Sequence, residues 1–246
     1  MNPKPFLVLL CTLLAGLTTA AAPAAQAELS VLEQVQIYAS RATSSLILLR
    51  GEGFQDMHRE RLEQDIKALD AAMRRVPEPS SALLAEQRDL VAELRRGVAF
   101  GPREDAMPWG YPLELNKRLR DFLTAARAMP GAPHTEVAAK VEYLGVQYLN
   151  RAYLGAFEIA REQPENYLGQ DERQLVPSID AEIQTFAARD PAALARLQTR
   201  WKFLRAALLD LNSQSNSLIS VSGRPYAPTV VDRNTRTLSD QWMSMN

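Results

Sequence analysis

Two arginines, Arg41 and Arg151, each follow a tyrosine by three residues, in Tyr38-Ala39-Ser40-Arg41-Ala42 and Tyr148-Leu149-Asn150-Arg151-Ala152. Tyrosine and arginine at that spacing share one face of a helix. A guanidinium near a bundle interior offers a planar fork of donors suited to a carboxylate or a small oxyanion. Asp70 and Asp180 are a matched pair of the same kind. Tyr38, Arg41, Asp70, Tyr148, Arg151 and Asp180 are therefore the candidate residues. They serve either anion recognition or structural pairing, Arg41 with Asp70 and Arg151 with Asp180.

Other chemistries find little support. Neither of the two histidines, His58 and His134, belongs to a Glu-x-x-His or His-x-x-x-His spacing that would set metal ligands on one helical face. Met243 and Met245 could attract a soft metal, but an ordinary helical tail accounts for them. The lone cysteine is Cys11, and no Gly-x-Ser-x-Gly or Gly-rich phosphate loop occurs. No catalytic, metal-ligating or cofactor-binding residue is nominated, and the chain is expected not to be an enzyme. The alternative is a hydrolase-like bundle with acidic residues on facing helices, for which Asp70 and Asp180 are the duplicated acids.

Helices must position these residues. Ser30 caps a helix to about residue 50, which Gly51-Glu52-Gly53 ends. A second runs over about 55–75 with Leu62, Ile66, Leu69 and Met73 on one face, and Pro77-Glu78-Pro79 stops it. Ser80 or Ser81 caps a third, carrying Leu84, Val91, Leu94 and Val98. After a Pro/Gly loop at 101–112, a fourth covers about 113–128. The longest helical pattern, residues 135–163, spaces Val137, Val141, Leu144, Tyr148, Ala152, Gly155 and Ile159 by fours and threes. Further helices carry Val176, Ile179, Ile183 and Phe186, then Leu194, Trp201, Leu204 and Leu208 after an Asp190-Pro191 cap. A last helix reaches about Met243. Trp109, Tyr111, Tyr226 and Trp242 cluster near the Pro loops, where aromatics cover an open bundle end or mark a contact surface.

This order occurs twice. Shifting residues 31–98 by 110 onto 141–208 gives thirteen identities in 68 positions, and the apolar residues stay in phase through three helices. Beyond them the offset grows to 118, so that Asn116-Lys117-Arg118 meets Asn234-Thr235-Arg236. The expected fold is all-α with no significant sheet: a tandem-duplicated antiparallel helical bundle, as two four-helix units or one fused bundle. Residues 28–130 form the first repeat and 135–246 the second, around the linker Pro130-Gly131-Ala132-Pro133.

Residues 1–27 read as a secretory signal peptide. Lys4 supplies the positive start, Phe6–Leu17 a short apolar core, and Ala25-Gln26-Ala27 the cleavage site. A lipoprotein reading of Cys11 lacks the small residue expected at Leu9-Leu10. With Cys11 removed the mature chain has neither thiol nor disulfide, so burial must stabilise it. Removing Lys4 leaves 27 basic against 29 acidic residues, which favours neither nucleic acid nor a membrane surface as partner. No later stretch approaches the ~20 apolar residues of a membrane span. The expected location is the periplasm.

Two successive helical units in an exported region, each opening with an arginine-bearing helix, resemble the sensory domains of type IV pilus chemotaxis transducers and nitrate/nitrite sensors. The first helix of those domains carries a run of the type Ala-Gly-Arg-Gln-Arg-Met-Leu-Ser-Gln-Arg. Ala39-Ser40-Arg41 echoes its start and Leu149-Asn150-Arg151 echoes less; the second arginine and the Gln-Arg that follow are missing from both halves. Over residues 30–210 the resemblance implies a helical, sensor-like architecture, without carrying nitrate binding over. A non-catalytic binding, sensory or adaptor module is the expected function, acting through a protein partner or a small ligand whose identity the residues do not give.

Overall fold

The computed structural model describes residues 30–131, 136–155, 167–186, 188, 190–210 and 226–245. Over these residues it is all-α, with eight α-helices and no strand. They are α1 (Val31–Gly51), α2 (Asp56–Met73), α3 (Ser81–Ala99), α4 (Tyr111–Arg127), α5 (Val137–Leu149), α6 (Glu172–Thr185), α7 (Pro191–Leu209) and α8 (Pro228–Met245). The predicted signal at 1–27, with Cys11, and His134 lie outside the described residues.

The caps are local and readable. Ser30 accepts from the Glu33 amide at 3.0 Å, Ser80 from Leu83 at 3.1 Å and Asp190 from Ala192 at 2.8 Å, each satisfying an orphan donor of the first turn. At the end of α1 the Phe54 amide reaches back to the Leu49 carbonyl at 2.7 Å, with Gly53 between them at φ 83°. That 6→1 closure needs a left-handed residue, which glycine supplies without steric cost.

α1 and α5 form the centre. From Leu32 to Leu49 only Gln34 and Tyr38 of α1 are less than buried, and in α5 only Lys140 is. A helix covered on all sides is a core helix. α1 packs against α2, α3 and α4 of its own half and against α5 and α8 of the other; α5 packs against α6, α7 and α8. Glu33 meets Ala138 and Ala139, Arg41 meets Glu142, and Gly51 lies against Tyr153, so the two central helices run in the same direction. Within the first half, contacts of Arg75 with Gln34, of Gln87 with Asp70 and of Arg118 with Asp89 make successive helices antiparallel.

The halves are built alike. A shift of 110 residues carries Ser81 and Ala99, the limits of α3, onto Pro191 and Leu209, the limits of α7. Ile66, Leu69 and Met73 are buried, as are their counterparts Val176, Ile179 and Ile183. The last helix corrects the expected offset. The buried residues Leu115, Asn116, Leu119, Phe122, Leu123 and Ala126 of α4 fall 116 positions before Val231, Asp232, Thr235, Leu238, Ser239 and Trp242, all buried in α8. The shift of 118, drawn from the Asn-x-Arg match, puts the two helices out of phase by about half a turn.

Three further expectations change. The helix expected over 135–163 leaves α-geometry at Asn150, passes through a π turn over Asn150–Leu154 and meets Gly155 at φ 81°, a left-handed residue that ends it; 156–166 lie outside the described residues. α4 begins at Tyr111 with Pro112 in its first turn, where a missing N–H costs nothing. Leu84 is exposed, and Leu83 and Leu90 fill the core face of α3 instead.

Candidate functional site

The polar centre of the molecule lies where α1, α2, α5 and α8 meet, and Arg41 is its hub. Arg41 is 7% exposed. Its Nε donates to Glu142 Oε1 on α5 at 2.7 Å, and one terminal nitrogen serves Ser239 Oγ at 2.5 Å, Asp240 Oδ1 at 2.7 Å and the Arg236 carbonyl at 3.1 Å, all on α8. Ser239 Oγ also donates to Glu142. Burial disfavours the charged guanidinium, but Glu142 and Asp240 more than offset it and hold Arg41 above its ordinary value.

Arg236 returns the contact from the other side. It donates to the Arg41 carbonyl at 2.8 Å, so each arginine serves the other's main chain. Its fork grips Asp65 on α2 at 2.8 and 2.9 Å, reaches Ser45 at 2.9 Å and contacts Asp232 at 3.3 Å. Asp65 in turn accepts from Ser45 at 2.6 Å, and Arg61 pairs with Asp232. Arg41, Arg61 and Arg236 thus face Glu142, Asp65 and Asp232, three charges of each sign, with the more exposed Asp240 at the rim. His58 stands beside this zip; burial and Arg61 lower its pKa against the opposing pull of Glu52 and Asp232.

The structure separates the six candidate residues. Arg41 is buried, but its partners are Glu142 and Asp240, not Asp70. Asp70 accepts from Gln87 at 2.7 Å within the first half. Arg151 is exposed on the π turn and does not meet Asp180, which accepts from Trp201 Nε1 at 2.5 Å and from Arg205 at 2.8 Å. Tyr38 lies 5.8 Å from the Arg41 guanidinium by its ring centre. Tyr148 is buried and donates to the Tyr226 carbonyl at 2.8 Å. Arg41 lies within the covered part of α1, whereas Arg151 follows the end of α5 on the exposed π turn. Of the four aromatics near the Pro loops, Tyr111 and Trp242 are buried and Tyr226 is half-buried, whereas Trp109 is 91% exposed.

Pattern reading missed the acids of the zip. Under the shift that aligns the repeats, Glu142 answers to Leu32 and Asp65 to Leu175, so neither has an acidic counterpart. A search for matched polar pairs passes over both. Their signal was a charged residue inside an otherwise apolar helical stripe, visible for Glu142 between Val141 and Tyr143.

A second buried cluster joins α1 to the start of α5 and to α6. Glu33 accepts from the backbone amides of Ala138 and Ala139, in the first turn of α5, where the helix dipole favours an anion. Burial first, then Glu136 and Glu182, nevertheless push its pKa up to about 8. Arg127 pairs with Glu136 and Lys140 with Glu182, while Oε1 of Glu33 and Oε1 of Glu136 have no hydrogen-bond partner. No group of three or more His, Cys, Asp or Glu among the described residues has a geometry that could hold a metal ion.

Chemically, the central zip is a saturated clasp. Its buried acids face arginines, and Ser239, fully buried, spends its hydroxyl on Glu142. A general base or nucleophile needs substrate within hydrogen-bond reach, and here that reach is filled by the protein. Fold and site together define an all-α bundle with a charge-paired seam between its halves. Compared with protein families, with curated proteins and with solved structures, the chain matches none. Among the described residues no helix is long and apolar enough to cross a membrane.

Proposed function

We propose that this chain is an exported, non-catalytic helical module that works by binding, as a sensor-like or adaptor domain, and that its halves arose by tandem duplication of a four-helix unit. One observation carries the non-catalytic reading: the seam between the halves is a filled core. α1 and α5 are buried along their length, and the charges between the halves pair with one another. An enzyme of the acidic type would need Asp70 and Asp180 converging on a cleft, and each is instead engaged within its own half. The matching limits of α3 and α7 and the common burial pattern of α4 and α8 support duplication. Export rests on the residue pattern of 1–27.

Expression of the tagged full-length chain in a Gram-negative host tests this reading. The mature protein is expected in the periplasmic fraction, beginning at Glu28, with a protein or small molecule captured by cross-linking there. Retention in the cytoplasm with the segment Met1–Ala27 intact would remove the export claim. Hydrolysis of an ester or glycoside panel that Asp180→Asn abolishes would overturn the non-catalytic one.

A further inference from the structure

Between α7 and α8 lies an open groove of about 560 Å³, within the ~300–1,000 Å³ common for small-molecule sites. Arg200 crosses it. Its Nε donates to Gln241 Oε1 at 3.2 Å and a terminal nitrogen donates to Asn234 Oδ1 at 3.1 Å. The Asn234 amide nitrogen is itself tied to the Val230 carbonyl at 2.8 Å, which turns its oxygen toward the arginine. Both partners are neutral. Among the described residues no carboxylate pairs with Arg200, in contrast to Arg41, Arg61, Arg205 and Arg236. A guanidinium positioned by two amides retains further N–H donors for an outside group.

The first half carries different chemistry on the same surface. At the shared register, 110 on the third helix and 116 on the fourth, Arg200 stands where Leu90 is buried in the core. Thr199 and Asn234 stand where Asp89 and Arg118 form a salt bridge at 3.2 Å across α3 and α4. Arg196 and Phe203 replace Glu86 and Glu93. One copy of the face is acidic, apolar and bridged; the other is basic, aromatic and open. Phe203, 38% exposed and set edge-on to Tyr226, gives the groove an apolar wall beside its cation.

We propose that the α7–α8 groove binds a small organic carboxylate, its anionic end on Arg200 and its apolar body against Phe203. An inorganic anion would leave the aromatic wall and most of the volume unused, and a neutral hydrophobe would leave the arginine uncompensated. This assignment deepens the binding-module reading and rests on it. The seam clasp plays no part in it.

Phenylacetate is the probe, with sulfate and benzyl alcohol supplying the anion and the ring separately, titrated into the mature protein and followed by amide NMR shifts. Phenylacetate is expected to give saturable shifts on residues 195–203 and 234–241, with affinity at least tenfold above either comparison compound. Arg200→Gln should lower that affinity at least tenfold with an unchanged helical circular dichroism spectrum. Should that variant fold poorly, Phe203→Ser, at a half-exposed position, should weaken phenylacetate at least threefold and leave sulfate unaffected. No saturable shift with phenylacetate, equal binding of sulfate or benzyl alcohol, or full affinity in the variants overturns the assignment. If a partner is still captured by cross-linking in that event, the binding-module reading stands without the groove.

Discussion

Arg41 on α1 and Glu142 on α5 meet at 2.7 Å, with the carboxylate side chain only 1% exposed, and so join the central helices of the two halves. Burying either charge alone is costly; together, with Ser239 and Asp240 completing the bonds, they are compensated. Such a pair contributes less to net stability than to fixing which residues meet.

Breaking the pair from one side should be severe. Glu142→Ala leaves the Arg41 charge buried beside an empty site, and a loss of roughly 3–5 kcal/mol is expected in urea unfolding. Adding Arg41→Met should recover much of it, with a coupling of at least ~1 kcal/mol between the two positions. A cycle of Arg41→Met with Asp70→Asn should be additive, because Asp70 belongs to Gln87. Additivity for Arg41 and Glu142 would contradict the clasp.

Glu33 makes the fold sensitive to pH in a defined direction. Its folded pKa of about 8 lies above the ordinary 4.5, so the folded state holds a proton that the unfolded chain has released. Its stabilising contribution is complete below about pH 4.5 and is lost as pH rises through about 8. The groups facing it are Glu136 and Lys140 of α5 with its preceding residue, Glu182 of α6, Arg127 of α4 and Tyr167. Glu33→Gln, which keeps an oxygen for the Ala138 and Ala139 amides, should lose less stability than wild type between pH 5 and 8. The gap should widen steadily over that range. Parallel wild-type and variant profiles would refute the titration of Glu33.

Helix count was legible in the sequence because it follows from local chemistry, and so was the buried face of α2 and α6, whereas the phase of α8 and the place of Leu84 were not. Of the caps expected, Ser80 or Ser81 for α3 and Asp190 for α7, the structure has Ser80 and Asp190. The site was less legible. Matching the two halves drew attention to Arg41 and offered Asp70 as its structural partner or an anion as its ligand; Glu142, the partner observed, answers to Leu32 under the same shift and so has no acidic counterpart. Contacts across the seam depend on how two similar units dock, and nothing within one unit's repeat encodes that. Gly155, read as a small residue on a helical stripe, is instead left-handed, a choice between helix and stop that spacing alone does not make.

Leu69 and Ile179 test the paired cores. Both are fully buried at the same position of the second helix in each half. Truncation of either to alanine is expected to cost ~2–5 kcal/mol, measured by denaturant midpoint. Because the seam couples the halves, each variant should unfold in one transition. Two resolved transitions in Leu69→Ala would show that the halves fold separately.

Gly145 on α5 lies against Thr235 on α8. A Cβ built there would stand 2.9 Å from Thr235 Cγ2 and 3.3 Å from its hydroxyl, nearer than packed carbons allow. Thr235 is itself buried on α8, one turn before Ser239, so a displaced α8 would also draw Ser239 and Asp240 from Arg41. Alanine suits a helix interior better than glycine by ~1 kcal/mol, but overpacking of a tight core costs roughly 1–3 kcal/mol. Overpacking should win, and Gly145→Ala is expected to destabilise. Thr235→Ala removes the offending methyl and hydroxyl, leaving Cβ at 3.5 Å, an ordinary contact. The double variant should therefore be more stable than Gly145→Ala alone, by at least ~1 kcal/mol in thermal or urea unfolding. If Gly145→Ala is neutral, or if Thr235→Ala fails to rescue it, then the glycine does not set the α5–α8 distance, and the position of α8 over Arg41 must depend on the charge pairs alone.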